Sequence, residues 1–185
     1  MKKYIVFAGV NGVGKSTLYQ TWESLQNMPR VNTDEIVREF GDWRNTSDLM
    51  KAGKIAVSKM EQYLLEDRTF NQETTLCGKA ILRTIKKAKE KGYFIELHYV
   101  GVEEVGIVKN RVKERVKRGG HGIPESDIER RFIETFTNLK MILPICDLAV
   151  FYDNTKQFHR FAIFKNGEPI RIAHQVPRWF EDKVR

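Results

Sequence analysis

Gly9-Val10-Asn11-Gly12-Val13-Gly14-Lys15-Ser16 follows closely on the apolar run Tyr4–Phe7, with Thr17 next, and no other feature constrains the fold as tightly. The β-forming run reads as a buried strand that the glycines stop, and Lys15 to Gln26, ahead of Pro29, reads as a helix. The eight residues satisfy G-x-x-x-x-G-K-[ST] in full. Glycines let backbone N–H groups converge on phosphate oxygens, and the following helix turns its N-terminus to the anion. Gly9, Asn11, Gly12, Val13, Gly14, Lys15, Ser16 and Thr17 are therefore the expected nucleotide-binding residues. Lys15 would reach the β- and γ-phosphates and the Ser16 hydroxyl would hold Mg²⁺, making ATP and Mg²⁺ the expected cofactors.

Strand-like and helix-like segments alternate downstream, which predicts an α/β fold with a mainly parallel sheet. Helices are expected over 48–67, with Ser47 or Asp48 as N-cap and Met50, Val57, Met60 and Leu64 inward, and over 79–91, ending at Gly92. Another spans 104–118, and Ser126-Asp127-Ile128-Glu129 has the spacing of a capping box opening a fourth. Strands are expected at 70–75, 93–100 and 148–152. Asn166-Gly167 between two β-rich runs predicts a hairpin over about 158–174. With no repeat and no linker, residues 1–185 read as one domain.

Composition excludes several classes. Apolar content of 41% and charged content of 30% are those of a globular chain, and no apolar run approaches the ~20 residues a bilayer requires. The opening lysines and apolar stretch are too short for a secretory signal and run into the glycine loop, so a cytoplasmic location is expected and no membrane partner. Cys77 and Cys146 lie far apart and read as two buried thiols, without metal-ligand spacing. A net charge of +8 fits nucleic acid or small polyphosphates equally well.

A phosphate loop alone does not separate a GTPase, a hydrolytic ATPase and a kinase. No Asp-x-x-Gly and no Asn-Lys-x-Asp occurs, which argues against a GTPase, and no apolar run ends in Asp-Glu, which argues against a hydrolytic ATPase. A compact kinase with a mobile lid remains; it needs an acceptor base and arginines for the phosphoryl group in transit. In 109–118, six basic groups and one acidic group are sorted by helical spacing. Val105, Val108, Val112 and Val116 form a buried stripe, Arg111, Arg115 and Arg118 one flank, and Lys109, Lys113 and Lys117 the other. Arginine suits bidentate phosphate contacts and lysine suits solvent. The flexible Gly119-Gly120-His121-Gly122 follows, then Arg130 and Arg131, so residues 111–131 read as a lid. The rival is a nucleotide-dependent nucleic-acid-binding module; the lack of aromatics in 109–118 weighs against it.

VNTDEIVRE, ETTLCG, RVKRGGHGIP with ESDIERRF, and LAVFYDNT stand in the order found in zeta toxin-like P-loop kinases, which the chain resembles from Gly9 to about Asn154. The resemblance implies a three-layer α/β/α kinase fold with an arginine-bearing lid. It also implies ATP-dependent phosphorylation of a small-molecule hydroxyl, as on UDP-N-acetylglucosamine, and a small helical antitoxin as partner. On the matching positions it makes Asp34 the general base, with Lys15 and Ser16 on phosphate and metal. Arg118 and Arg131 become the pair that stabilises the moving phosphoryl group, and Glu73 and Thr74 lining of the acceptor pocket. Cys77 departs from the serine more usual in its motif. A nucleoside, nucleotide, antibiotic or RNA end stays open as acceptor.

The remaining residues have plainer readings. Asn154, after the last parallel strand, is placed where small kinases bind adenine. His121 in its glycine loop reads as structural, and Trp22, Trp43 and Trp179 read as packing residues.

Overall fold

A computed structural model describes residues 1–185. The sheet has seven strands: β1 (Lys3–Ala8), β2 (Arg30–Asn32), β3 (Phe70–Thr74), β4 (Phe94–Gly101), β5 (Leu148–Asp153), β6 (His159–Lys165) and β7 (Glu168–Ile172). Their spatial order is β2-β3-β1-β4-β5-β6-β7, the first five parallel and the last two antiparallel. Seven helices join them: α1 (Lys15–Gln20), α2 (Thr33–Phe40), α3 (Thr46–Leu65), α4 (Lys79–Glu90), α5 (Val105–Lys117), α6 (Glu125–Ile142) and α7 (Arg178–Lys183). None is long and apolar enough to cross a membrane.

β1 pairs with β3 on one side and β4 on the other, so the chain reverses its direction of travel across the sheet at β1. A crevice opens at such a reversal, outside the carboxyl ends of the strands, and ligands of open α/β sheets bind there. The register brings Ala8, Asn32, Thr74, Gly101 and Asp153 to that edge. Strands buried on both faces explain the continuous apolar runs of β1 and β5.

Several local expectations change. The first helix stops at Gln20, and a single 3-10 turn covers Glu23–Leu25. Asn45 caps α3 by accepting from Ser47 N–H, and its buried face is Ala52, Ala56, Met60 and Leu64, while Met50 is 62% exposed. Pro124 precedes α6, whose start has no side-chain cap, so the capping box at Ser126 does not form. Proline supplies the entry instead, because its fixed φ suits a helix start. Val116 of the expected stripe is exposed, and Cys77 is only half-buried. β2 and α7 add to the expected elements. The hairpin turn forms at Asn166-Gly167, with φ of 52° and 80°.

Gly101 lies where a Cβ would fall 2.5 Å from the Trp179 ring. The indole is buried among Tyr99, Phe136 and Phe161 and donates its Nε1–H to Asp153 Oδ1 at 2.8 Å. α7 is thereby fastened to the end of β5.

Candidate active site at the phosphate loop

The loop between β1 and α1 cannot be built without glycine at two points. A Cβ on Gly9, at φ +133°, would stand 2.3 Å from the Val100 carbonyl of β4. On Gly14, at φ +102°, it would stand 2.8 Å from Asn154 Nδ2. That amide donates to Val13 O at 2.8 Å, so Asn154 braces the loop from beneath. Gly12 and Val13 form its crest, Gly12 at φ +82° and Val13 wholly buried.

Lys15 opens α1 and is buried, its ammonium donating to Val10 O at 3.1 Å. Burial pushes its pKa down; the nearby carboxylates of Glu73 and then Asp34 oppose that shift. Both carboxylates thus stand close enough to the loop lysine to act on its charge. Ser16 and Thr17 are exposed in the first turn of α1.

Asp34 sits in the first turn of α2. Asn32 is the cap: its Oδ1 accepts from Asp34 N–H at 2.9 Å. Asp34 is partly exposed, and its Oδ1 lies 3.5 Å from Nε2 of buried His121. Burial lowers the His121 pKa against the pull of Asp34, with Arg115, Arg38 and Arg131 adding to the depression.

Glu73, at the end of β3, accepts from Ser16 Oγ through Oε1 at 2.8 Å. Its Oε2 accepts from Arg30 Nη2 at 2.6 Å and Asn32 Nδ2 at 3.3 Å. Arg30 is 11% exposed and lies 3.6 Å over the Tyr19 ring, a partner that no sequence motif singles out. Thr74 Oγ1 accepts from Leu76 N–H at 3.0 Å, which shapes the turn into α4. Two hard oxygens, from Ser16 and Glu73, meet beside the loop lysine. They fit Mg²⁺, which takes one or two protein oxygens and fills its remaining positions with water and phosphate.

The lid residues divide by direction. Lys109 pairs with Glu129 and, at 3.5 Å, with Glu125; Lys113 pairs with Glu125 at 2.8 Å, so this flank ties α5 to α6. Arg131 Nη1 donates to Asn11 Oδ1 at 3.0 Å, which brings α6 to the phosphate loop. Arg111 Nη2 donates to Asn154 O at 2.8 Å. Arg118 is exposed at the C-terminal end of α5. Arg111, Arg115 and Arg118 line one cavity of about 500 Å³ with Asn110, Glu114 and Gly120.

No family model matches the chain. An uncharacterized protein of Haemophilus influenzae is 32% identical over 130 residues, covering 70% of this chain and 92% of its own length, and the chain belongs to that protein's family. A chain of the AvrRxo1-ORF1:AvrRxo1-ORF2 crystal structure superposes on the whole chain with a TM-score of 0.74 at 14% identity. The same complex, solved with ATP, superposes equally well. The chain spans 64% of that neighbour's length. A chain of the PezAT chromosomal toxin–antitoxin system of Streptococcus pneumoniae covers 85% of this chain and is covered over 70% of its own length, with a TM-score of 0.60 at 18% identity. The fold is therefore shared with these two chains, and it is the α/β fold with a mainly parallel sheet that the sequence predicts.

Proposed function

We propose that the protein is a cytoplasmic kinase that uses ATP and Mg²⁺ to phosphorylate a small-molecule hydroxyl, with a UDP-amino-sugar such as UDP-N-acetylglucosamine as acceptor. The observation that carries this reading is the Glu73 carboxylate bonded to Ser16 of the phosphate loop, with a second carboxylate, Asp34, in the first turn of the helix that follows the neighbouring strand β2. A hydrolytic site needs only one group to polarise water; two carboxylates in different settings allow a division of labour. Glu73 has both oxygens engaged by Ser16, Arg30 and Asn32, which suits metal support. Asp34 keeps a partly exposed carboxylate, which suits a base.

In the transfer, the acceptor oxygen forms a bond to the γ-phosphorus, the bond from that phosphorus to the β,γ-bridging oxygen breaks, and ADP leaves. The hydroxyl proton passes to Asp34. Lys15 and the loop N–H groups hold the phosphate oxygens, while Arg131 and the lid arginines neutralise charge as the phosphoryl group moves. Mg²⁺, held by Ser16 with Glu73 beside it, would draw charge from the β- and γ-phosphate oxygens. Lid closure would exclude water.

A small helical antitoxin as binding partner follows from the same reading. The test is mass spectrometry of UDP-sugars, nucleosides and RNA ends after incubation with protein, ATP and Mg²⁺. One acceptor should gain a phosphoryl group with the wild-type protein and not with Asp34→Asn. ATP turnover that modifies no acceptor, equal in both proteins, would sink the kinase reading.

A further inference from the structure

We propose that Arg115 is the lid arginine that contacts the transferring phosphoryl group, the role that resemblance assigns to Arg118. The inference rests on the kinase reading above and names a residue for its reaction.

Arg115 Nε and Nη2 are buried and have no hydrogen-bond partner. A guanidinium desolvated in this way is unfavourable for the folded protein unless an anion completes it. Its surroundings identify where that anion would lie. Burial lowers the Arg115 pKa, Asp34 opposes this, Arg38 adds to it and Glu73 opposes it, and Arg115 in turn depresses Lys15. The charges of Asp34, Glu73 and Lys15 therefore act on this guanidinium, and these are the groups between which a phosphoryl group would travel.

The rest of α5 supports this placement. Arg111, one turn earlier and about 6 Å back along the axis, is fixed against Asn154 beneath the loop. Arg115 is one turn nearer the base, and Arg118 has passed to the exposed helix end. The stem of Arg115 is pinned by Gly120, where a Cβ would fall 2.7 Å from Arg115 Cγ, and Gly120 N–H donates to Arg115 O at 2.9 Å. The wall of the cavity these arginines line has no apolar residue. An arginine fork held by its own backbone turn, with free N–H groups, matches tetrahedral phosphate oxygens better than a mobile side chain at a helix end.

Calorimetric binding of Mg²⁺ with AMP-PNP, and separately with ADP, tests this without a known acceptor. Arg115→Met should weaken AMP-PNP about tenfold or more, as expected for loss of one charge-assisted bidentate contact, and ADP less than about twofold. Arg115→Lys, which keeps the charge but not the fork, should fall between. Thermal melting of the same samples separates this selective loss from unfolding, which would weaken both nucleotides together. If Arg115→Met keeps its preference for AMP-PNP, or Arg118→Met alone loses it, the proposal is overturned while the kinase reading stands. Failure of the unaltered protein to bind either nucleotide overturns both.

Discussion

His121 Nε2 stands 3.5 Å from Asp34 Oδ1, and the same imidazole ring packs 5.1 Å from Trp43, centroid to centroid. Trp43 lies just beyond α2, so the glycine loop between α5 and α6 rests on the segment that carries Asp34. Gly122 makes the approach possible, since a Cβ there would meet Trp43 at 2.5 Å. The histidine that sequence reads as structural therefore links the glycine loop to Asp34.

His121 should make stability pH-dependent. Burial lowers its folded pKa below the ordinary histidine value of about 6.5, so the unfolded chain binds the proton more readily. Stability is then fully present above that value and falls as pH drops from about 6.5 toward the folded pKa. Urea midpoints between pH 7.5 and 5 should fall more steeply for wild type than for His121→Asn.

Asp34→Asn should lower phosphoryl transfer by about 10²–10⁴-fold, the usual contribution of a general base. Nucleotide affinity should change little, because the Asp34 side chain makes no hydrogen bond within the phosphate loop. Single-turnover rates alongside nucleotide titrations would check both halves.

Glu73→Gln should raise the Mg²⁺ concentration for half-maximal activity by about tenfold, in line with loss of a supporting carboxylate. It should also cost about 1 kcal/mol of stability, since Arg30 loses one of its two carboxylate partners and keeps Glu35, paired through Nε at 3.1 Å. Urea unfolding without nucleotide isolates the second effect from the first.

Gly101→Ala should destabilise the fold by about 1–3 kcal/mol through overpacking against the Trp179 ring. Nucleotide affinity should fall with it, because Trp179 is bonded to Asp153 and the next residue braces the loop. Denaturation and nucleotide titration on one preparation would reveal both.

Much of the scaffold was legible because its signals are local. The glycine loop, the 79–90 helix with Ile81, Leu82, Ile85 and Ala88 inward, and the Asn-Gly hairpin each carry their signal within a few residues. β2 was not legible, since three residues are too few to show a period, and it is held by pairing with β3. α7 was missed for a related reason: six residues fold there because Trp179 and Phe180 find a core assembled from distant strands. In the site, the loop residues could be named from spacing. The grip of Arg30 on Glu73 and the inward turn of Arg115 depend on partners more than 40 residues away. Helical spacing grouped Arg115 with Arg111 and Arg118 but left undecided which of them turns inward.

The Asn154 brace also gives the protein a clock. Val13 precedes its support, Asn154, by 141 residues, and the strand end that holds Asn154 is itself fastened by Trp179. During translation the phosphate loop lacks this brace until Asn154 has emerged.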